Sequence, residues 1–424
     1  MPTTITRALL LTLLVPAFAG ASLAAPTSGP TEPPVLSFYP QSGIEWQDLY
    51  FANFVDLDPG PGTLGWSCGT QTYDGHTGED SIIRSFQEKR IGVPVFAAVD
   101  GIVIEVSDLL PDEHVERTMT PVDNHVIVSS LGRHLRTIYG HLRKGVLVRQ
   151  GQRVVAGQQL GWTASSGHSS WPHLHFTMKL DLTVYELFAG PCRAGKSYWR
   201  TQPALPSAPY VRDFTFSRRP FGGRRDPPWD EAVRTGTFGP GLRDVYFRAE
   251  LGFFDGWPLQ VTVARPDGSV ALDALRQMPL QGYRATWVTR RERMNLNQTG
   301  SWRLRLASNG RQLVDAPFRV ASTARNRRPN PVTLSVDPAA PTRADVIQCL
   351  VHTSLVTEDP DYAIVRYRYR WRVAGTLVRS VTSAGLSDVL RHRLARSGQR
   401  VKCTVTASDG KLPGPAASAR VRVR

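Results

Sequence analysis

Apolar and polar residues alternate along most of this chain in short runs, and the runs are separated by Gly, Pro, Asn and Asp. That is the pattern of half-buried β-strands joined by turns. GVPVFAAVDGIVIEV (92–106) predicts two short strands meeting in a hairpin at Asp100-Gly101. After the polar loop LLPDEHVERTMTP come HVIVSS, HLRTIYGHL and VLVRQGQRVVAGQQLGWT, again strands and Gly-containing turns. HLHFTMKL (173–180) continues the alternation, with His173 and His175 on one face and Leu174, Phe176, Met178 and Leu180 on the other. No long stretch has a helical period, so the expectation is a compact β domain of short strands.

The same alternation returns twice downstream. Between 209 and 322 it includes VYFRAEL, PLQVTVARPDGSV and a strand–Asn309-Gly310–strand unit. Between 332 and 424, Val365, Tyr367, Tyr369, Trp371 and Val373 alternate with Arg366, Arg368, Arg370 and Arg372, so one face of that strand is aromatic and the other cationic. TQPALPSAPY and ARNRRPNP read as linkers, and residues 26–45 as an exposed, Pro-rich lead-in. The stretch 46–76 is turn-rich and wraps the first domain, delivering His76. The chain is thus expected to be all-β: a compact β-rich domain over 26–200, a β-rich accessory domain over 209–322, and a sandwich over 332–424.

The N-terminus departs from this pattern. Arg7, the apolar stretch Ala8–Phe18 and the small residues around Ser22-Leu23-Ala24 read as a secretory signal over 1–25, with an N-terminal anchor helix as the alternative. No later segment is long enough to span a membrane, so no stable span is expected after cleavage. The expected location is the bacterial envelope, periplasmic or extracellular. Export makes the four cysteines a disulfide question. Cys68 and Cys192 bracket the first domain while Cys349 and Cys403 lie together in the last, and pairing within each region is the simple reading. Closing the 68–192 loop contributes on the order of 4–5 kcal/mol in the chain-entropy account. Neither pair has the Cys-x-x-Cys spacing of a structural zinc site.

Charge separates the two halves. Net charge is +15 from 51 Lys+Arg and 36 Asp+Glu; residues 201–424 hold 36 and 18 of these, leaving 15 and 18 for residues 1–200. The basicity belongs to the tail. An exported basic surface attracts anionic envelope polymers, against the plainer reading of a solvated Arg-rich face. Nothing points to specific nucleic-acid binding.

Histidine is the residue that suggests chemistry. Eight of ten, at 76, 114, 125, 134, 141, 168, 173 and 175, fall between 76 and 175. Imidazole and carboxylate suit zinc, and three such ligands with a fourth position left to water is the catalytic form of a zinc site. His114 reads as solvated; His125, His134 and His168 read as surface or supporting residues. Glu79, facing away from Asp80, reads as a surface residue. Asp359, Asp361 and Asp409 suit turn-capping better than a calcium site.

The order His76-Thr-Gly-Glu-Asp80, Tyr139-Gly-His141-Leu, His173-Leu-His175-Phe resembles the lysostaphin-like zinc endopeptidases of bacterial peptidoglycan. VPVFAAVDGIV, VRQGQRVVAGQQLG and SSGHSSWPHLHF add to the likeness, which covers about a quarter of the chain. The resemblance implies one Zn2+ per catalytic domain held by His76, Asp80 and His175. It implies that His141 and His173 are the catalytic imidazoles, and which of the two is the base stays open. Metal-activated water would then hydrolyse peptide cross-links of peptidoglycan. Two features depart from the pattern, the inserted loop 109–123 and Trp171, and both bear on substrate preference. Two other functions are weighed: a non-catalytic wall-binding module, and a zinc protease of Gly-rich extracellular proteins. A Cys349–Cys403 bridge around a strand Trp is similar to an immunoglobulin-like sandwich.

Overall fold

The computed structural model describes residues 32–118, 122–130, 132, 134–222, 233–253, 258–277 and 285–424. The secretory-signal reading lies outside them. The chain is all-β: the described residues form twenty-five strands and one short helix. In the first body these are β1 (Tyr50–Asn53), β2 (Glu79–Ile82), α1 (Phe86–Ile91), β3 (Pro94–Phe96), β4 (Gly101–Ser107), β5 (His125–Ser130), β6 (Leu135–Gly140), β7 (Arg153–Val154), β8 (Gln159–Trp162), β9 (His173–Leu180) and β10 (Thr183–Val184). One antiparallel sheet runs β1-β2-β9-β6-β5-β4-β7, with β10 on the far end of β9. β9 sits between β2 and β6, and its Leu174, Phe176, Met178 and Leu180 are buried in the core while His173 and His175 are half-buried on the opposite face.

Two expectations fail here. The hairpin at Asp100-Gly101 does not form: β3 pairs with β8 in a separate two-stranded sheet, and β4 pairs with β5 and β7. The reason is local. The Asp100 carboxylate accepts the Ala156 N–H at 2.9 Å, and Ala97 N–H donates to Gln158 O, so the turn hands the chain to the β7–β8 region instead of folding it back. Second, the lead-in is not exposed throughout. Leu36, Phe38, Tyr39, Gln41 and Ser42 are buried, with Leu36 N–H bonded to Tyr198 O. The short α1 is consistent with the absence of any long helical period. Ser85 caps it by accepting the Glu88 N–H at 3.1 Å, a Ser-x-x-Glu signature visible in SFQEKR.

A second body sets a three-stranded sheet (Tyr210–Ser217, Gly241–Gly252, Ala285–Leu296) against a five-stranded one, around Phe214, Phe247, Val261, Trp302 and Phe318. A third packs a three-stranded sheet on a four-stranded one around Tyr367, Tyr369 and Trp371. Both disulfides follow the simple reading, Cys68–Cys192 and Cys349–Cys403, the latter joining the two sheets of the third body. Asp359 and Asp409 cap turns through backbone N–H groups, and Asp361 pairs with Arg327.

Buried polar contacts weld the bodies together. Arg84, just before α1, is 1% exposed; it bonds Glu88 at 2.5 Å and Glu358 of the third body at 3.0 Å, and Glu358 also accepts from Tyr367 OH at 2.7 Å. Asp48 Oδ2 accepts the Leu386 N–H at 2.7 Å, and Ser42 and Ser383 hydroxyls meet at 2.9 Å. Such groups are tolerated in an interior because each charge finds a partner, and deleting one partner strands the other at a cost of roughly 3–5 kcal/mol.

Candidate active site

Strand register assembles the site. Asp80 stands directly opposite His175 in the β2–β9 ladder, and Ile82 opposite His173. Opposed residues of an antiparallel pair project from the same face with Cβ atoms about 5 Å apart. His175 Nδ1 lies 2.8 Å from Asp80 Oδ1. His76, four residues before Asp80, brings its Nε2 to 3.2 Å from Asp80 Oδ1 and 3.2 Å from His175 Nδ1. On the other side of β9, Gly140 is opposite His175, and the next residue, His141, turns its ring to 4.4 Å from that of His173. All five residues named from the sequence therefore share one locus, with His173 Nε2 3.6 Å from Asp80 Oδ1.

The other atom of each group is spoken for. His76 Nδ1–H donates to Phe54 O at 2.7 Å, which leaves Nε2 facing Asp80. His175 Nε2 meets Thr177 Oγ1 at 2.9 Å, and Asp80 Oδ2 accepts from Asn53 Nδ2 at 2.8 Å. His141 Nδ1–H donates to Ser166 O at 2.8 Å and His173 Nδ1–H to Trp171 O at 2.7 Å, so both present Nε2 to the site.

Backbone geometry at His141 is unusual. Its φ is +56°, a left-handed conformation seldom taken by a residue with a Cβ. Asp123 holds it there: Oδ2 accepts the His141 N–H at 2.9 Å while Oδ1 accepts from His125 Nδ1 at 2.9 Å. A Cβ at Gly140 would lie 2.5 Å from Asp123 Oδ2, so a larger residue there would displace the carboxylate that holds His141.

Electrostatics divide the histidines. Burial would push Asp80 up, but the imidazoles of His76 and His173 outweigh it and hold the carboxyl well below its ordinary range. For His76 burial pulls down and the Asp80 carboxylate, pulling up, prevails. Burial, then the neighbouring His173, lowers His141 to about 3, and burial also lowers His173. Both imidazoles are neutral near pH 7 and can accept a proton.

The three atoms His76 Nε2, Asp80 Oδ1 and His175 Nδ1 could hold a metal ion. Ligands about 2.0–2.1 Å from a tetrahedral zinc stand roughly 3.3 Å from one another, close to the 2.8–3.2 Å triangle found here. Fixed carbonyl and hydroxyl partners on the far ring nitrogens are also what oriented ligand imidazoles require. The donor set fits.

Of the residues given plainer readings, His125 bridges Asp123 and Glu105, His134 pairs with Asp181 at the surface, and His168 donates to Thr118 O. His114 is not simply solvated, since its Nδ1–H donates to Gly167 O at 2.7 Å and stitches the 109–123 loop to the strand lead-in. Glu79 does point away from Asp80, but it is 1% exposed and not at the surface. The far face of β2 is covered by residues 186–188, and burial, reinforced by Glu186, raises its carboxyl well above the usual range. The sequence reading missed Asn53, Asp123, Ser166 and Thr177. Thr177 was accessible, lying two residues beyond His175 on the same strand face; Asp123 acts on a residue 18 positions away and carries no local signal.

Residues 83–185 match the model of Peptidase family M23. The match contains His141, His173 and His175 and starts after His76 and Asp80. Over 88 residues the chain is 33% identical to the peptidoglycan DD-endopeptidase ShyA of Vibrio cholerae, covering 21% of this chain and 18% of that protein. Over 87 residues it is 39% identical to the glycyl-glycine endopeptidase ALE-1 of Staphylococcus capitis, covering 20% and 21%. The chain thus spans about a fifth of the length of these curated relatives. Among solved structures, the catalytic domain of the antimicrobial peptidase lysostaphin from Staphylococcus simulans is 24% identical, covering 33% of this chain and 88% of that one at a TM-score of 0.22. Over residues 83–185, about a quarter of its length, this chain is similar to Peptidase family M23.

Proposed function

We propose that the protein is an exported zinc endopeptidase that hydrolyses peptide cross-links of bacterial peptidoglycan, with residues 26–200 as its catalytic unit. One observation carries the reading: two imidazole nitrogens and a carboxylate oxygen form a ligand triangle beside a second pair of neutral imidazoles. The peptidoglycan and glycyl-glycine endopeptidases it resembles support the substrate class.

His76, Asp80 and His175 would hold the zinc, which supplies a Lewis acid that polarises the scissile carbonyl and acidifies water to a pKa of about 7. The remaining chemistry belongs to side chains. His141 and His173 each offer an unprotonated Nε2, since each Nδ1–H is tied to a carbonyl. The imidazole that takes the attacking water's proton becomes an N–H donor and can return it to the leaving amine. Asp123 and Ser166 keep His141 aimed; Trp171 O does so for His173. Incubating purified wall sacculi with the protein should release peptide fragments, identifiable by mass, and a chelator should stop the release. Fragment release that persists with all zinc removed overturns the proposal.

The accessory bodies, roughly 209–322 and 332–424, act on this reading as wall-engaging modules. Arg366, Arg368, Arg370 and Arg372 are exposed on one strand, Arg372 lies in register with Lys402 and then Arg420, and Arg400 with Arg422. The four strands of that sheet contain no Asp or Glu. Such a face fits an anionic envelope polymer. Changing Arg368, Arg370 and Arg372 together to Gln should weaken co-sedimentation with sacculi about tenfold at low salt, and less as salt rises. Turnover of a small soluble cross-linked peptide should not change.

A further inference from the structure

Trp171 precedes His173 by two residues, and its indole is held from three directions. Nε1–H donates to Ile83 O at 3.0 Å; the Phe86 ring meets it edge-on at 5.3 Å; and Trp287 packs against it at 5.3 Å. Trp287 belongs to a different body, on the strand Ala285–Leu296 at the edge of its three-stranded sheet. Directly opposite Trp287 in that sheet is Glu250. Glu250 accepts from Arg212 Nη1 at 2.5 Å, and Arg212 Nη2 reaches across to donate to Ile82 O at 2.9 Å. Ile82 is the register partner of His173. One patch of the second body therefore bears on both neighbours of His173, the tryptophan before it and the residue opposite.

The carbonyl of Trp171 is the acceptor for His173 Nδ1–H. That bond decides which ring nitrogen faces the site and in which direction. The same carbonyl also accepts from Ser169 Oγ–H at 3.0 Å, and loss of the indole's packing would loosen the backbone at 171 that carries it. His173 could then change tautomer and swing its Nε2 away from the Asp80 side. Phe86 meets the Trp171 ring edge-on and Ile83 binds its nitrogen, while Trp287 meets it from the second body at an interplanar angle of 59°.

We infer that Trp287, assisted by Arg212, is a positioning residue for His173, so that the second body completes the active site rather than merely trailing behind it. The inference rests on the proposed hydrolytic role of His173 and deepens it. A contact serving only as adhesive between bodies would affect stability alone. A positioning contact affects kcat while leaving metal and substrate binding in place, because displacements near 1 Å can cost about 100-fold.

The test uses the full chain with Trp287→Ala and Trp287→Phe, a soluble cross-linked peptide substrate, zinc analysis, and nitrogen-15 NMR of the His173 ring. Trp287→Ala should lower kcat about 10- to 100-fold with KM within about twofold and zinc still at one equivalent. His173 should shift from a single Nδ1–H tautomer to an averaged pattern. Trp287→Phe should restore kcat and tautomer. If Trp287→Ala does not fold, Trp287→Leu, which keeps apolar bulk without an aromatic face, is read in the same way. Wild-type kcat and an unchanged His173 pattern in Ala or Leu would overturn the inference, as would a kcat loss that Phe fails to rescue. Should the wild type itself release nothing from wall peptides, the proposed hydrolysis fails, and the His173 tautomer alone decides the positioning claim.

Discussion

Asp80→Ala is expected to bind no zinc and to lose on the order of 1000-fold or more in wall-peptide release, since a Lewis acid worth several kcal/mol goes with the metal. Three imidazoles converge on Asp80 Oδ1, which lies 3.2 Å from His76 Nε2, 2.8 Å from His175 Nδ1 and 3.6 Å from His173 Nε2. Without it two imidazoles remain, too few to close a three-ligand site. Zinc analysis of protein purified without chelators checks the first half. Melting checks the second: metal bound only to the folded state raises stability by mass action, so a chelator should lower the wild-type Tm and leave that of Asp80→Ala where it was. A variant that still carries one zinc would show that the ligands lie elsewhere.

The second large effect belongs to His141. Its ring centre is 6.1 Å from that of His175, outside the ligand triangle, so its removal should spare the metal. His141→Ala is expected to keep one zinc and lose about 100- to 10,000-fold in kcat, the usual worth of a positioned proton-transfer group. The positive φ at 141 complicates an alanine variant, because Ala in the left-handed region costs about 1 kcal/mol or more on its own. His141→Asn separates the two effects, since Asn tolerates that conformation and cannot act as the base. Equal kcat losses in Ala and Asn, with normal zinc, identify the imidazole as the missing part. Near-wild-type release by either would remove His141 from the mechanism.

Much of this was legible in the chain because strand periodicity is short and strict. Once HLHFTMKL is read as a strand, period two puts both histidines on one face, and the structure keeps them there. Asp80 and His76 followed from likeness to a family, since no local rule predicts that β2 lies against β9 in the register that opposes Asp80 to His175. What escaped was set by tertiary packing. Glu79 has the alternation of an outward residue, yet the segment at 186–188 covers it. Asp100-Gly101 has hairpin composition, yet the Asp100 side chain is recruited by Ala156. Asp123 and Ser166 reach His141 from 18 and 25 residues away, distances over which sequence pattern is silent. The Trp171–Trp287 contact spans two bodies and had no counterpart in either repeat of the alternation.

The ladder between β2 and β9 has a consequence for how such a chain can drift. Side chains on adjacent positions of a strand face opposite ways, so inserting or deleting a single residue within 79–82 or 173–176 would turn part of the proposed ligand set toward the core. Length changes are better tolerated outside these ladders, as between β4 and β5, where the sequence reading places an inserted loop. Variation in reach and preference can therefore accumulate in the connections around the site, while the spacing of a handful of peptide units within the ladder stays frozen.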